Sequence, residues 1–383
     1  MNNKKARVIA FYLPQFYPTP ENDRWWGKGF TEWTNVAKAK PSFRGHIQPK
    51  IPTDLGFYDL RVPETRKAQA ELAKEYGVEG FCYWHYWFGN GKRLLDRPFR
   101  EVLISGKPDF PFCLGWANHS WSNKTWQKNH AFQKDTVFVE QTYGDVDDYK
   151  RHFYTVLKAF KDPRYITVDG KPLFFIFDPA SIPDLDEFIK LWRNLAIQNG
   201  LEGIHFVGKA ASVGRFDRGI TYDYLSDAKK NYEEILKKGL DAVNSVNLRR
   251  AEILAVGKYK KMFDRLANKI FSGSKVEKYD YRKIIKYLFT EEDKLENIYP
   301  TIIPRWDKTP RLGKRSYVYI NSTPALFKKS VQEAVELVKN KKPEHRIIFL
   351  QAWNEWGEGN FMEPDMEFGR GYLKALKEAI VEN

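Results

Sequence analysis

The sequence predicts an α/β fold, a (β/α)₈ TIM barrel with a helical insertion between strands 6 and 7. Three observations predict it. Short apolar runs recur along the chain, rich in Ile, Val, Phe and Tyr, as strands buried on both faces are. Segments with helical spacing and recognisable start and stop residues lie between the runs. Polar, acidic and Trp residues collect directly after the runs, at the barrel end where active sites sit.

The strands are expected at 7–12, 79–84, 111–116, 172–177, 203–208, 222–226, 298–303 and 346–352. Helices are expected at 63–76, opened by Pro63 and closed before Gly77, and at 145–161, opened by Asp145. In the latter, Tyr149, Phe153, Val156 and Phe160 repeat at helical spacing. Further helices are expected at 184–199, from Asp184 to Gly200, at 323–340, from Thr323 and Pro324, and at 366–381. Residues 229–296 break the rhythm, with 17 Lys/Arg against 11 Asp/Glu, and are read as a basic helical insertion within one domain spanning 1–383. The stretch KYKKMFDRLANKIF inside it is basic and amphipathic, a pattern that suits peripheral contact with a membrane surface.

A chain of 383 residues is long enough to bury a large barrel core. Twelve Trp, 21 Tyr and 27 Phe exceed what that core needs, and flat rings with polar edges suit a sugar. Cys82 and Cys113 fall inside expected strands and read as core residues, with no metal-binding spacing. The apolar run near the N-terminus, Val8 to Leu13, is too short for a signal peptide, and no stretch reaches membrane-spanning length. The expectation is therefore a cytoplasmic protein without metal or cofactor. Its net charge of +14 favours anionic partners. Nucleic acid is not the expected partner, because it would not explain acidic residues at the strand ends.

The strand ends supply the candidate site: Tyr12 in the first strand, then Glu32 and Trp33; His85 and Trp87 after the second; Asn118, His119 and Trp121 after the third; Asp178 after the fourth; Arg305 and Asp307 after the seventh; and Asn354, Glu355, Trp356 and Glu358 after the eighth. Glu355 and Glu358 are the candidate catalytic residues. Two carboxylates near one bond can divide labour, one ionised and one protonated. Mutual repulsion and burial against Trp356 would raise one pKa, and Gly357 and Gly359 would let a tight loop aim both groups inward. His85 and His119 could orient hydroxyls or carry protons. Arg305 could pair with Asp307 or hold a uronate or phosphate. The stretches GKGF and GNGK lack the spacing of nucleotide-binding loops.

The segments AFYLPQFYPTPENDRWWGKGFTEWTNVAKAK, EYGVEGFCYWHYWFGNGKRLL, GKPDFPFCLGWAN, PTIIPRWDKTPRLGKRS and AWNEWGEGNFMEPD together resemble the WbsX-type glycosyltransferase family, which is glycoside hydrolase family 99-like. The resemblance covers most of the chain and is weakest at 229–275. It implies a (β/α)₈ barrel, a role in bacterial surface polysaccharide (O-antigen or capsule) assembly, and similarity to the endo-α-mannosidases of family 99. It implies that Glu355 deprotonates the sugar 2-hydroxyl, which attacks C1 to give an anhydro-sugar. Glu358 would protonate the leaving oxygen and then serve as base for water, so configuration is retained. Where relatives read WANENW, this chain reads Trp116-Ala117-Asn118-His119-Ser120-Trp121 and lacks the carboxylate.

The expected function is thus cleavage or transfer of an α-linked, mannose-like sugar on an oligosaccharide or lipid-linked glycan. A non-catalytic glycan-binding barrel and a true glycosyltransferase with an activated donor are the alternatives.

Overall fold

The computed structural model describes residues 4–122, 136–210, 228–257 and 276–381. Eight parallel strands form its centre: β1 (Arg7–Tyr12), β2 (Gly80–Trp87), β3 (Phe112–Trp116), β4 (Lys171–Ile176), β5 (His205–Ala210), β6 (Ala242–Ser245), β7 (Ile298–Ile302) and β8 (Ile347–Leu350). Each strand pairs with its neighbours in chain order, and β8 returns to β1 with Arg7 opposite Ile347 and Ala10 opposite Leu350. The sheet therefore closes into the predicted barrel, and its backbone groups find partners all round.

Among the described residues, the helices of nine residues or more are α1 (Pro63–Glu75), α2 (Arg97–Ser105), α3 (Val146–Phe160), α4 (Leu185–Gln198), α5 (Ala228–Leu236), α6 (Leu248–Val256), α7 (Pro324–Val338) and α8 (Gly371–Ile380). Local chemistry sets several starts. The Asp145 side chain accepts from the Asp148 amide and Thr323 accepts from the Leu326 amide, each satisfying an otherwise orphaned N–H. Proline stands in the first turn of α1, α2 and α7. The stripe Tyr149, Phe153, Val156 and Phe160 of α3 is buried, as its spacing predicts.

Inside the barrel, Phe11 stacks on Trp84 at 4.7 Å and on Phe349 at 5.2 Å, and meets Phe175 edge-on at 4.9 Å. These rings from four strands plug the barrel rather than leaving a pore. Cys82 and Cys113 lie opposite one another across β2 and β3 as free, buried thiols.

Two expectations need correction. The sixth strand, expected at 222–226, falls outside the described residues; the sixth strand of the barrel is Ala242–Ser245, inside the segment expected to be an insertion. Its sequence, AVNS, carries no apolar run. Asn244 is buried but donates to the Tyr299 carbonyl and the Thr301 hydroxyl, and Ser245 donates to Asp293. The Asn244 amide nitrogen and the Ser245 hydroxyl are thus paired inside the barrel wall. So α5 is an ordinary connection between β5 and β6, and the insertion between β6 and β7 shrinks to the residues after Ser245. The stretch KYKKMFDRLANKIF also lies outside the described residues.

The second correction concerns β2, which runs on to Trp87, three residues past its expected end. Alternation along a strand then turns Trp84 and Tyr86 inward and His85 and Trp87 outward, toward α3.

Candidate active site

At the C-terminal end of the barrel, a cavity of about 480 Å³ opens above the aromatic plug. Phe11, Trp84, Tyr86, His119, Trp121, Phe177 and Trp306 contribute its rings, and Lys209, Lys308, Arg311, Glu355 and Glu358 its charges.

The two glutamates ride on a hairpin after β8. Asn354–Glu355 pairs antiparallel with Asn360–Phe361. Each glycine between them has a separate reason. A Cβ on Gly357 would come within 1.8 Å of a Glu32 carboxylate oxygen, so close approach demands glycine there. Gly359 has φ +56° and would also meet the Asp307 backbone. Trp356 points the other way: it stacks on Phe361 at 3.6 Å and donates from Nε1 to Glu363 at 2.6 Å. Glu363 also accepts from Tyr58 and Gln69, and burial lifts its pKa to about 7 despite these donors. Trp356 is thus the anchor that lets its two neighbours face the cavity.

Arg311 organises the charges. Its Nη1 donates to Glu358 at 2.6 Å, its Nη2 to Glu355 at 3.0 Å, and its Nη2 also lies 3.2 Å from Glu32. One planar guanidinium with such bonds holds the two carboxyls side by side, below the roughly 10 Å upper limit of the spacing that glycosidases use. Lys308 adds a second cation 3.1 Å from Glu358. Burial would raise the Glu358 pKa, but Lys308 and Arg311 together hold it below the ordinary glutamate value. Burial pushes Glu355 up to about 7; Glu358 and Glu32 add to this and Arg311 opposes it. The resting cleft therefore favours the proton on Glu355 over Glu358 when the pair holds one.

Of the residues expected from sequence, Glu355, Glu358, His119 and Trp121 line this cavity. His119 is exposed at the cavity's edge, and its partial desolvation there with the charge of Lys209 lowers its pKa. Glu32 sits fully buried behind Arg311 and orients it. Asn118 and Asp178 hold each other: the Asp178 amide donates to Asn118 at 2.8 Å, and Asn118 donates back to the Asp178 carbonyl at 2.7 Å.

The other expected binding residues lie elsewhere. Tyr12 donates to Gln69 at 2.7 Å, and Trp33 donates to the Tyr58 carbonyl at 2.8 Å. His85 meets His152 at 2.9 Å, and burial lowers its pKa to about 3. Trp87 stacks on His152 and donates to Asp148. Asn354 clamps the ends of β1 and the hairpin through both backbone groups of Leu13. Arg305 and Asp307 do not pair with each other. Arg305 pairs with Asp365 beneath Phe361, while Asp307 accepts from His46 and Gln48 at 2.7 Å each. Both line a separate cavity of about 320 Å³ behind the hairpin.

Sequence reasoning missed Lys209, Lys308 and Arg311 as site residues. Lys308 and Arg311 lie just beyond Arg305 and Asp307, in a segment already marked by its position after β7. Lone cations carry no spacing signal of their own. Among the described residues, no group of three or more His, Cys, Asp or Glu is placed to hold a metal ion, and no helix is long and apolar enough to cross a membrane.

The chain matches the family model described as Glycosyltransferase WbsX over residues 8–376. It is 35% identical over 376 residues to the uncharacterized protein WxcX of Xanthomonas campestris pv. campestris strain B100, and equally to that of strain ATCC 33913. The match takes in 98% of this chain and 50% of each relative, so the chain spans about half their length. Among solved structures, a glycoside hydrolase-like protein superposes with a TM-score of 0.60 at 14% identity, covering 100% of this chain and 96% of the other. A family 99 endo-α-mannosidase from Bacteroides thetaiotaomicron, in complex with BIS-TRIS-propane, superposes at 0.54 with 15% identity, covering 97% and 95%. At such identities the structural likeness speaks for the barrel fold, while the family model and the closer sequence relatives speak for descent. The chain belongs to the glycosyltransferase WbsX family.

Proposed function

We propose that this barrel cleaves or transfers an α-linked, mannose-like sugar with retention of configuration, using Glu355 and Glu358 as its acid–base pair, in the assembly of a bacterial surface polysaccharide. Family and fold support a carbohydrate-active enzyme. The observation that carries the finer reading is the Arg311 guanidinium, which holds both carboxylates at one ring-lined cavity.

The pair works in its singly protonated form. At rest the surrounding charges favour the proton on Glu355, whereas the roles implied by the family need it on Glu358. The two arrangements differ only by moving one proton within the pair. An incoming sugar that displaces Lys308 and Arg311 from Glu358 removes what keeps that group ionised. The proton then favours Glu358 and the leaving oxygen, while Glu355 is freed to take the 2-hydroxyl proton. A pKa near neutrality suits Glu355 to that task.

The test is incubation with α-linked mannooligosaccharides and with surface polysaccharide, read by mass spectrometry and by NMR of the first-formed anomer. The expected result is a shortened or transferred chain whose new end is α. A β product would rule out the retaining mechanism. Binding without any product would favour a glycan-binding barrel instead.

A further inference from the structure

Lys209 is not used by the mechanism above. It lies near the end of β5 and lines the same cavity as the two glutamates. Its ammonium stands 3.6 Å from the centre of the Phe177 ring. No ion pair or hydrogen bond joins its ammonium to any of the described residues. Lys209 is partly buried at the cavity wall, where an unpaired charge has lost some of its hydration. The neighbouring cations are already engaged: Lys308 with Glu358, and Arg311 with Glu32, Glu355 and Glu358. A contact with one aromatic face leaves the other side of the Lys209 ammonium turned to the cavity.

From this placement we infer that the cavity takes an acidic sugar, whose carboxylate or phosphate ester is seated against Lys209. This rests on the carbohydrate reading and names the substrate class for that site. An anion there would supply the charge partner that none of the described residues gives Lys209, in a setting where water screens less than in bulk. Burial, with Lys308 nearby, lowers the Lys209 pKa to about 8, so the group still carries its charge at neutral pH. The two anion sources share one requirement, a compact oxyanion on the sugar ring. They differ in charge and reach, so probes can separate them.

The experiment is a titration of the intact protein at pH 7, following the fluorescence of the tryptophans that line the cavity. The probes are methyl α-D-mannopyranoside, D-mannuronate and D-mannose 6-phosphate. At least one anionic probe should bind about tenfold or more tighter than the neutral one, as expected for a charge-assisted contact. Stronger binding of mannuronate assigns a uronate; stronger binding of the phosphate assigns a phosphosugar. Lys209→Met should collapse the ratio of anionic to neutral affinity toward one, and Lys209→Arg should keep it above about threefold. Circular dichroism of both variants checks that they fold, and the arginine variant carries the test if the methionine variant does not. Equal affinity for neutral and anionic probes overturns the inference while leaving the carbohydrate reading intact. An anionic preference that survives in a folded Lys209→Met also overturns it.

Discussion

At the residue scale, two cations, Arg311 and Lys308, set two carboxylates apart. Glu355 and Glu358 share Arg311, yet only Glu358 also has Lys308, so burial wins at one and cations win at the other. This fixes the sign of the pH dependence. Above about pH 7 the pair loses its remaining proton and with it the acid. On the acid side, below the ordinary glutamate range, it gains a second and loses the base. We expect kcat/KM to form a bell with its alkaline limb near pH 7. Removing Lys308 frees Glu358 to protonate more easily, so Lys308→Met should move the acid limb upward and narrow the bell. A profile flat from pH 5 to pH 9 on the order of these limits would contradict the shared-proton pair. The glutamates were legible in the sequence because a strand end, a Trp and two glycines framed them. The cations were not, because nothing in a lone Lys or Arg distinguishes a site from a solvated surface.

At the scale of elements, the hairpin after β8 is held from two sides. Trp356 and Glu363 anchor it to the body of the barrel, and Gly357 lets Glu32 and Arg311 come up beneath it. A methyl group at 357 cannot be accommodated by rotating a flexible tip, because the colliding oxygen belongs to a fully buried, ion-paired carboxylate. Gly357→Ala should therefore cost about 1–3 kcal/mol of stability from overpacking. It should also lower turnover by at least about tenfold by shifting both glutamates. Denaturant unfolding and rate measurements on one preparation check this, and a variant with unaltered stability and rate would refute the close packing. The same scale shows why other expected residues left the site. His85 and Trp87 were expected after the second strand, but β2 runs on through them, so strand alternation sends them to α3 while Trp84 and Tyr86 enter the cavity. Where a strand stops is invisible in composition but decides which face each side chain takes.

At the scale of the molecule, the two ends of the barrel are built for different purposes. Near the N-terminal ends of the strands, His205, Tyr299, His345 and Asp169 form a hydrogen-bonded chain, and Arg7 pairs with Glu79 across β1 and β2. These contacts tie strands together and touch no cavity described above. Near the C-terminal ends, the same scaffold presents acids, cations and rings to open space. Fold class was legible because seven of the eight strands are apolar runs; β6 escaped because it carries Asn244 and Ser245, whose donors are taken up by neighbours that sequence alone does not reveal. The central claim is that Glu355 and Glu358, which Arg311 holds together at rest, perform the chemistry. It is tested most directly by the turnover of Glu355→Gln and Glu358→Gln beside the unaltered chain, on whichever glycan the unaltered chain converts, with folding checked by circular dichroism. The account predicts that each variant folds and loses about three or more orders of magnitude in kcat; two folded variants that retain full turnover would contradict it.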